Sequence, residues 1–158
     1  MTRADLLALA DRVERLRDTD RTIDARVAVA VGHVVMRRPA DGGTAFFWAP
    51  IVRNDTAFLS GKFADEEDAY LALGSCLSIR RYTTSLNTVT ALIAERLSDY
   101  GWGCGVRCDE GPSAIVSAPG RDVDCHYSHA ATPALALLAA ALRTLAAKGG
   151  HDATGTAG

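Results

Sequence analysis

Apolar residues over 2–18 fall at Leu6, Leu9, Val13 and Leu16, a single stripe at helical spacing. Thr2 and Asp5 stand ahead of that stripe in capping-box spacing, and Asp11 and Arg15 pair at i,i+4 on the polar side. The pattern predicts an amphipathic helix. After the polar break Asp18-Thr19-Asp20, the same period returns in Ile23, Val27, Ala30 and Val31 and stops at Gly32, which suits a left-handed helix end. The period is then lost. From His33 to Arg53 a turn at Asp41-Gly42-Gly43 and the strand-forming run Thr44–Trp48 predict a short strand or ordered loop. Asp65 and Asp68 precede Tyr70, Leu73 and Leu77 in a helical pattern weakened by Gly74.

The second half reads more sharply. Ile79–Thr84 is β-rich, and Ser85 caps a helix with Leu86, Val89, Ile93 and Leu97 on its inner stripe. Three strands follow. Trp102, Cys104, Val106 and Cys108 alternate onto one face, a turn spans Asp109-Glu110-Gly111-Pro112, Ala114–Ala118 forms the second strand, and Val123, Cys125 and Tyr127 alternate in the third. Thr132 and Pro133 then open an Ala-rich helix with the stripe Leu135, Leu138, Leu142 and Leu145, ending near Lys148-Gly149. The expected fold is α+β: an α-β-α sandwich in which a small antiparallel meander sheet of about three to four strands is flanked by N-terminal, middle and C-terminal helices. Residues 1–149 are expected to form one domain with 33–81 as a longer, irregular insertion, and 150–158 a disordered tail.

Composition narrows the function classes. The chain has 158 residues, 48% apolar and 23% charged, enough to support a packed core. Net charge is −2, with 17 Lys and Arg dispersed among 19 Asp and Glu, so no nucleic-acid footprint is formed. The apolar stretch Ala130–Leu142 falls short of the ~20 residues that span a bilayer, so no membrane partner is expected. The charged N-terminus lacks a signal-peptide core, which points to the cytoplasm, and Cys76, Cys104, Cys108 and Cys125 are expected as reduced thiols.

Two stretches carry a family likeness: Tyr82-Thr83-Thr84-Ser85-Leu86 opening a helix ahead of Gly101-Trp102, and Ala131-Thr132-Pro133 running into the alanine-rich helix. Together they resemble the phage ABA-sandwich domain family, small proteins of bacteriophages and prophages. The resemblance implies phage origin, a host-cell cytoplasmic setting and helices around a small antiparallel sheet. It brings no agreed activity, cofactor or catalytic residues.

Candidate chemistry is sparse. Asp122, Asp124 and His126 alternate on the face opposite Val123, Cys125 and Tyr127, a row suited to acid–base work or a divalent cation, or else a plain solvated face. Cys104, Cys108, Cys125, His126 and His129 offer zinc-ligand types, but Cys104 and Cys108 in one strand would lie roughly 13 Å apart, so no metal site is assigned. Gly101, Gly103 and Gly105 lead into a strand instead of a helix, which fits close approach of another backbone better than a phosphate loop. Trp48, Tyr82 and Trp102 are candidates for an aromatic-lined binding surface, and Arg80-Arg81 for an anion-binding edge. No cofactor is expected. The reading that results is a non-enzymatic phage accessory protein binding a host protein or small ligand, for instance in counter-defence. An enzyme using Asp122, Asp124 and His126 and a minor virion component are the alternatives, and homo-oligomerisation through an open sheet edge is compatible with each.

Overall fold

Thr2 and Asp5 form the reciprocal capping box that their spacing predicts: the Asp5 N–H donates to Thr2 Oγ1 at 3.2 Å and the Thr2 N–H to Asp5 Oδ2 at 2.7 Å. They start the helix α1, Arg3–Arg15, in a computed structural model that describes residues 1–37, 45–50, 59–63, 65–77, 79–120 and 125–152. The chain divides into two compact units, Asp20–Arg81 and the remainder, Met1–Thr19 with Tyr82–Gly158.

In the interposed unit, Asp20 caps the helix α2 (Arg21–Ala30) through the N–H groups of Thr22 and Ile23. Gly32 ends it at φ 73°, the left-handed conformation that residues with a Cβ rarely adopt. Strands β1 (Val34–Arg37), β2 (Ala45–Pro50) and β3 (Leu59–Lys62) form an antiparallel sheet in that order, with Met36 opposite Trp48 and Trp48 opposite Leu59. A second sheet therefore occupies the stretch that reads as irregular in sequence. Asp65 caps the helix α3, Glu66–Gly74. Arg21 fastens α2 to the end of α3: its Nε donates to the Gly74 carbonyl at 2.9 Å, its Nη2 to the Cys76 and Ile79 carbonyls at 3.0 Å, and its Nη1 to the buried Asp24 carboxylate. Arg26 lies 4.0 Å over the Tyr70 ring and pairs with Glu67. Ile79–Thr84 is not the strand its composition suggests, because Arg21 takes the Ile79 carbonyl and Tyr82–Thr84 turn.

The other unit is built around the last helix. Ser85 caps α4 (Leu86–Arg96) at the Thr88 N–H, and Thr132 caps α5 (Pro133–Asp152) at the Leu135 N–H. α5 continues through Gly149 and Gly150 to Asp152, so residues 150–152 are helical where a tail is expected; 153–158 lie outside the described residues. Strands β4 (Gly101–Arg107), β5 (Gly111–Ser117) and β6 (Cys125–His129) make the predicted antiparallel meander, and the whole is an α+β fold with helices flanking antiparallel sheet. Cys108 lies in the β4–β5 turn, not in the strand, and Gly111 closes that turn at φ 76°.

One face of the meander carries Trp102, Cys104 and Val106, then Pro112, Ala114 and Val116, then His126 and Ser128. α5 packs against this sheet, where Ala114, Val116 and Ser128 are buried, and on its other sides against α1 and α4. Every residue from Leu135 to Leu142 is fully buried, so α5 is the core of the unit, and alanines in that run permit close contact on each side. The chain's ladder also fixes which backbone groups face outward. Pro112 has no N–H, and its carbonyl accepts from the Ala130 N–H at 3.2 Å, on the β6 side. Val106, opposite Pro112, therefore turns its own N–H and C=O away from β5, and Cys104 and Trp102 follow by alternation.

Candidate functional site

The two sequence stretches that carry the family likeness meet in space. The start of α4, with Thr83 and Thr84 of the turn before its cap and Leu86 at its first position, and the start of α5, with the cap Thr132 and Pro133, Ala134 and Leu135, line one groove of about 280 Å³. Arg17, Asp18 and Thr19, just past α1, complete its rim. Each helix start was shaped locally. Ser85 and Thr132 take one N–H each, and Pro133 has none to offer, which leaves other first-turn N–H groups without an intrahelical acceptor. Two helix N-termini bring partial positive charge to the same wall, with the cationic residue Arg17 at its rim. Asp18 is the opposing charge, and its Oδ1 accepts from the Thr19 N–H at 2.7 Å. Leu86, Pro133, Ala134 and Leu135 supply an apolar wall. Such a groove suits a small ligand with an anionic group and an apolar body.

Arg17 also borders a second, more polar groove of about 460 Å³, with Glu14, Arg15, Glu110 and His129 among its lining. Behind it sits an ion-pair network. Arg143 grips Glu14 with both terminal guanidinium nitrogens, Nη2 lying 2.9 Å from Oε2, and donates to Asp11 Oδ1 at 2.7 Å and to Ser128 Oγ at 2.6 Å. These bonds join α1, β6 and α5. The Arg143 guanidinium, then the Ser128 hydroxyl and the His129 N–H, hold the Glu14 carboxyl below its ordinary range against a partial desolvation, so Glu14 is a fixed carboxylate and a poor proton donor at neutral pH. Glu14 in turn holds the Arg143 guanidinium above its ordinary value. Ser128 and His129 point to opposite faces of β6, Ser128 buried and His129 exposed with its ring edge-on to Tyr127 at 5.0 Å, so they do not form a nucleophile and base.

The residues singled out by sequence scatter. Asp122 and Asp124 lie outside the described residues, and His126 is half-buried opposite Val116. Among the described residues no three His, Cys, Asp or Glu side chains are grouped for a metal ion; Cys104 and Cys125 lie on opposite faces of the sheet, two strands apart. Tyr82 is fully buried, so it is core and presents no binding surface. Trp102 is 46% exposed on β4, Arg80 and Arg81 are exposed in the interposed unit, and the Trp48 side chain lies outside the described residues. Arg17 and the threonines of the groove were not foreseen as a site. Their signal was present as two helix caps, but nothing local shows that two caps converge. No known protein family, curated protein or solved structure matches the chain.

Proposed function

We propose that the chain is a non-enzymatic binding module that takes a small anionic ligand in the groove between the starts of α4 and α5. The observation that carries this reading is the convergence of two capped helix N-termini and Arg17 on one partly apolar cleft. The likeness to the phage ABA-sandwich family adds a setting: a phage or prophage accessory protein in the host cytoplasm, where capture of a small ligand serves, for instance, to blunt a host defence. The groove's volume, at the low end for ligand sites, favours a compact ligand over a protein segment.

Calorimetric titration with inorganic phosphate, nucleoside monophosphates and small apolar carboxylates tests the proposal. At least one class should bind, and Arg17→Ala should weaken it about tenfold or more while leaving the circular dichroism spectrum unchanged. Binding of none of the three classes, or equal binding by Arg17→Ala, would overturn it.

A further inference from the structure

The strand β4 is a sheet edge of unusual make-up. It runs seven residues, Gly101–Arg107, is an edge among the described residues, and has in its own sequence no proline, no bulge and no charge before Arg107 at its end. Among the described residues the outward N–H and C=O groups of Trp102, Cys104 and Val106 form an open row, and the apolar side chains of Trp102 and Val106 are 46% and 66% exposed. Its sequence is also near-symmetric about Cys104: glycines at 103 and 105, apolar side chains at 102 and 106, then Gly101 and Arg107.

We infer that β4 pairs antiparallel with β4 of a second copy of this chain about a two-fold axis through Cys104. In that register Cys104 meets its own counterpart, and Trp102 meets Val106 of the other copy, twice. These three pairs use the residues whose backbone groups already face outward, so each pair exchanges two hydrogen bonds without any change in the strand. On the same face the exposed Trp102 and Val106 side chains come together as cross-strand neighbours. Gly103 meets Gly105 on the opposite face, which stays flat.

Charge does not oppose the register: Arg107, paired with Glu110 at 3.3 Å in its own chain, falls opposite Gly101 of the other copy, and Asp99 and Asp109 both belong to turns beyond the ladder. The surface of a single strand edge is smaller than the ~800 Å² per partner of a standard interface, so the dimer is expected to be weak and concentration-dependent, with Kd in about the micromolar range.

Sedimentation velocity over about 5–200 µM should show a monomer–dimer equilibrium and nothing larger. Cys104→Lys sets like charges against each other at the axis and should weaken the dimer about tenfold or more, with unchanged circular dichroism. A variant with Cys76, Cys108 and Cys125 replaced by serine leaves one thiol. Oxidised with diamide, it should give a disulfide-linked dimer, since paired strands set the two Cys104 Cα atoms about 5.5 Å apart. A protein monomeric throughout, open-ended assembly, a Cys104→Lys dimer as tight as wild type, or no Cys104 cross-link would each overturn the inference.

Discussion

Gly74 offers a test in which two physical arguments give opposite signs. As the last residue of α3, it should be improved by alanine, which favours the helix by up to about 1 kcal/mol. Packing says otherwise. A Cβ at position 74 would lie 2.3 Å from the Arg21 carbonyl oxygen, 2.7 Å from its carbon and 3.2 Å from the Thr22 nitrogen. All three are backbone atoms, which cannot rotate away, so α2 and α3 must separate by about 1 Å to restore ordinary contact. Overpacking of this kind costs about 1–3 kcal/mol. The separation also strains the guanidinium bonds from Arg21 to the Gly74, Cys76 and Ile79 carbonyls, and charge-assisted bonds are worth about 1.5–3 kcal/mol each. Set against the helical gain, Gly74→Ala should destabilise by about 2–4 kcal/mol, a fall of about 5–15 °C in Tm for a chain of this size. Urea denaturation in a Trp102→Phe background leaves Trp48 as the only tryptophan, inside the affected unit, and reads the change directly. A midpoint unchanged or raised would refute the close-approach argument and leave helix propensity as the controlling effect.

Other outcomes follow from the ion-pair network and from burial. Glu14→Gln should cost about 2 kcal/mol at pH 7, because Arg143 loses the more buried of its two carboxylate partners and keeps only the exposed Asp11. The Glu14 carboxyl is held low in the folded chain, chiefly by Arg143, so its contribution is complete above its unfolded value near ~4.3 and fades as pH falls through the lower folded value. Urea titrations of both proteins should thus converge below about pH 4, and a gap that stays constant down to pH ~3 would contradict the assignment. Leu138→Ala, inside the fully buried run of α5, should lose about 2–5 kcal/mol, whereas Leu77→Ala, at a side chain 98% exposed, should stay within about 0.5 kcal/mol in the same assay.

What the sequence disclosed was local chemistry. Thr2 with Asp5, Asp65, Ser85 and Thr132 each cap the helix they precede, because a cap is a contact over two or three residues and is written in the spacing itself. The meander was legible as three alternating strands, but its turn runs over residues 108–110 and Gly111 and Pro112, read as turn, already belong to β5. Long-range partners were hidden. Ile79–Thr84 has strand composition, yet its first carbonyl is claimed by Arg21, 58 residues away in sequence. Gly74 reads as a weak point in a helix until the Arg21 backbone is found against it. Arg17 gives no sign of a groove on its own, and it borders one only because two helix starts from opposite ends of the second half are folded beside it.

In β4 glycine recurs at alternate positions, 101, 103 and 105. Glycine at every second position suggests another backbone pressed against the strand, yet a Cβ at Gly101 or Gly103 would meet only side-chain atoms, at 3.6 and 3.8 Å, and at Gly105 nothing within 4 Å. Packing within the chain therefore does not require them. Glycine in a strand loses entropy and contributes no side chain to the sheet, a cost that a strand on an open edge does little to offset. Pairing with a second β4 gives the pattern a use: Gly103 opposite Gly105 keeps one face of the joined sheet flat, while the apolar side chains gather on the other. On that account Gly103→Val should leave the monomer fold intact, because Ile115 lies at ordinary contact distance and the face is open, and should change the dimerisation constant measured by sedimentation. A dimer indifferent to bulk at position 103 would leave the glycines without a role in pairing.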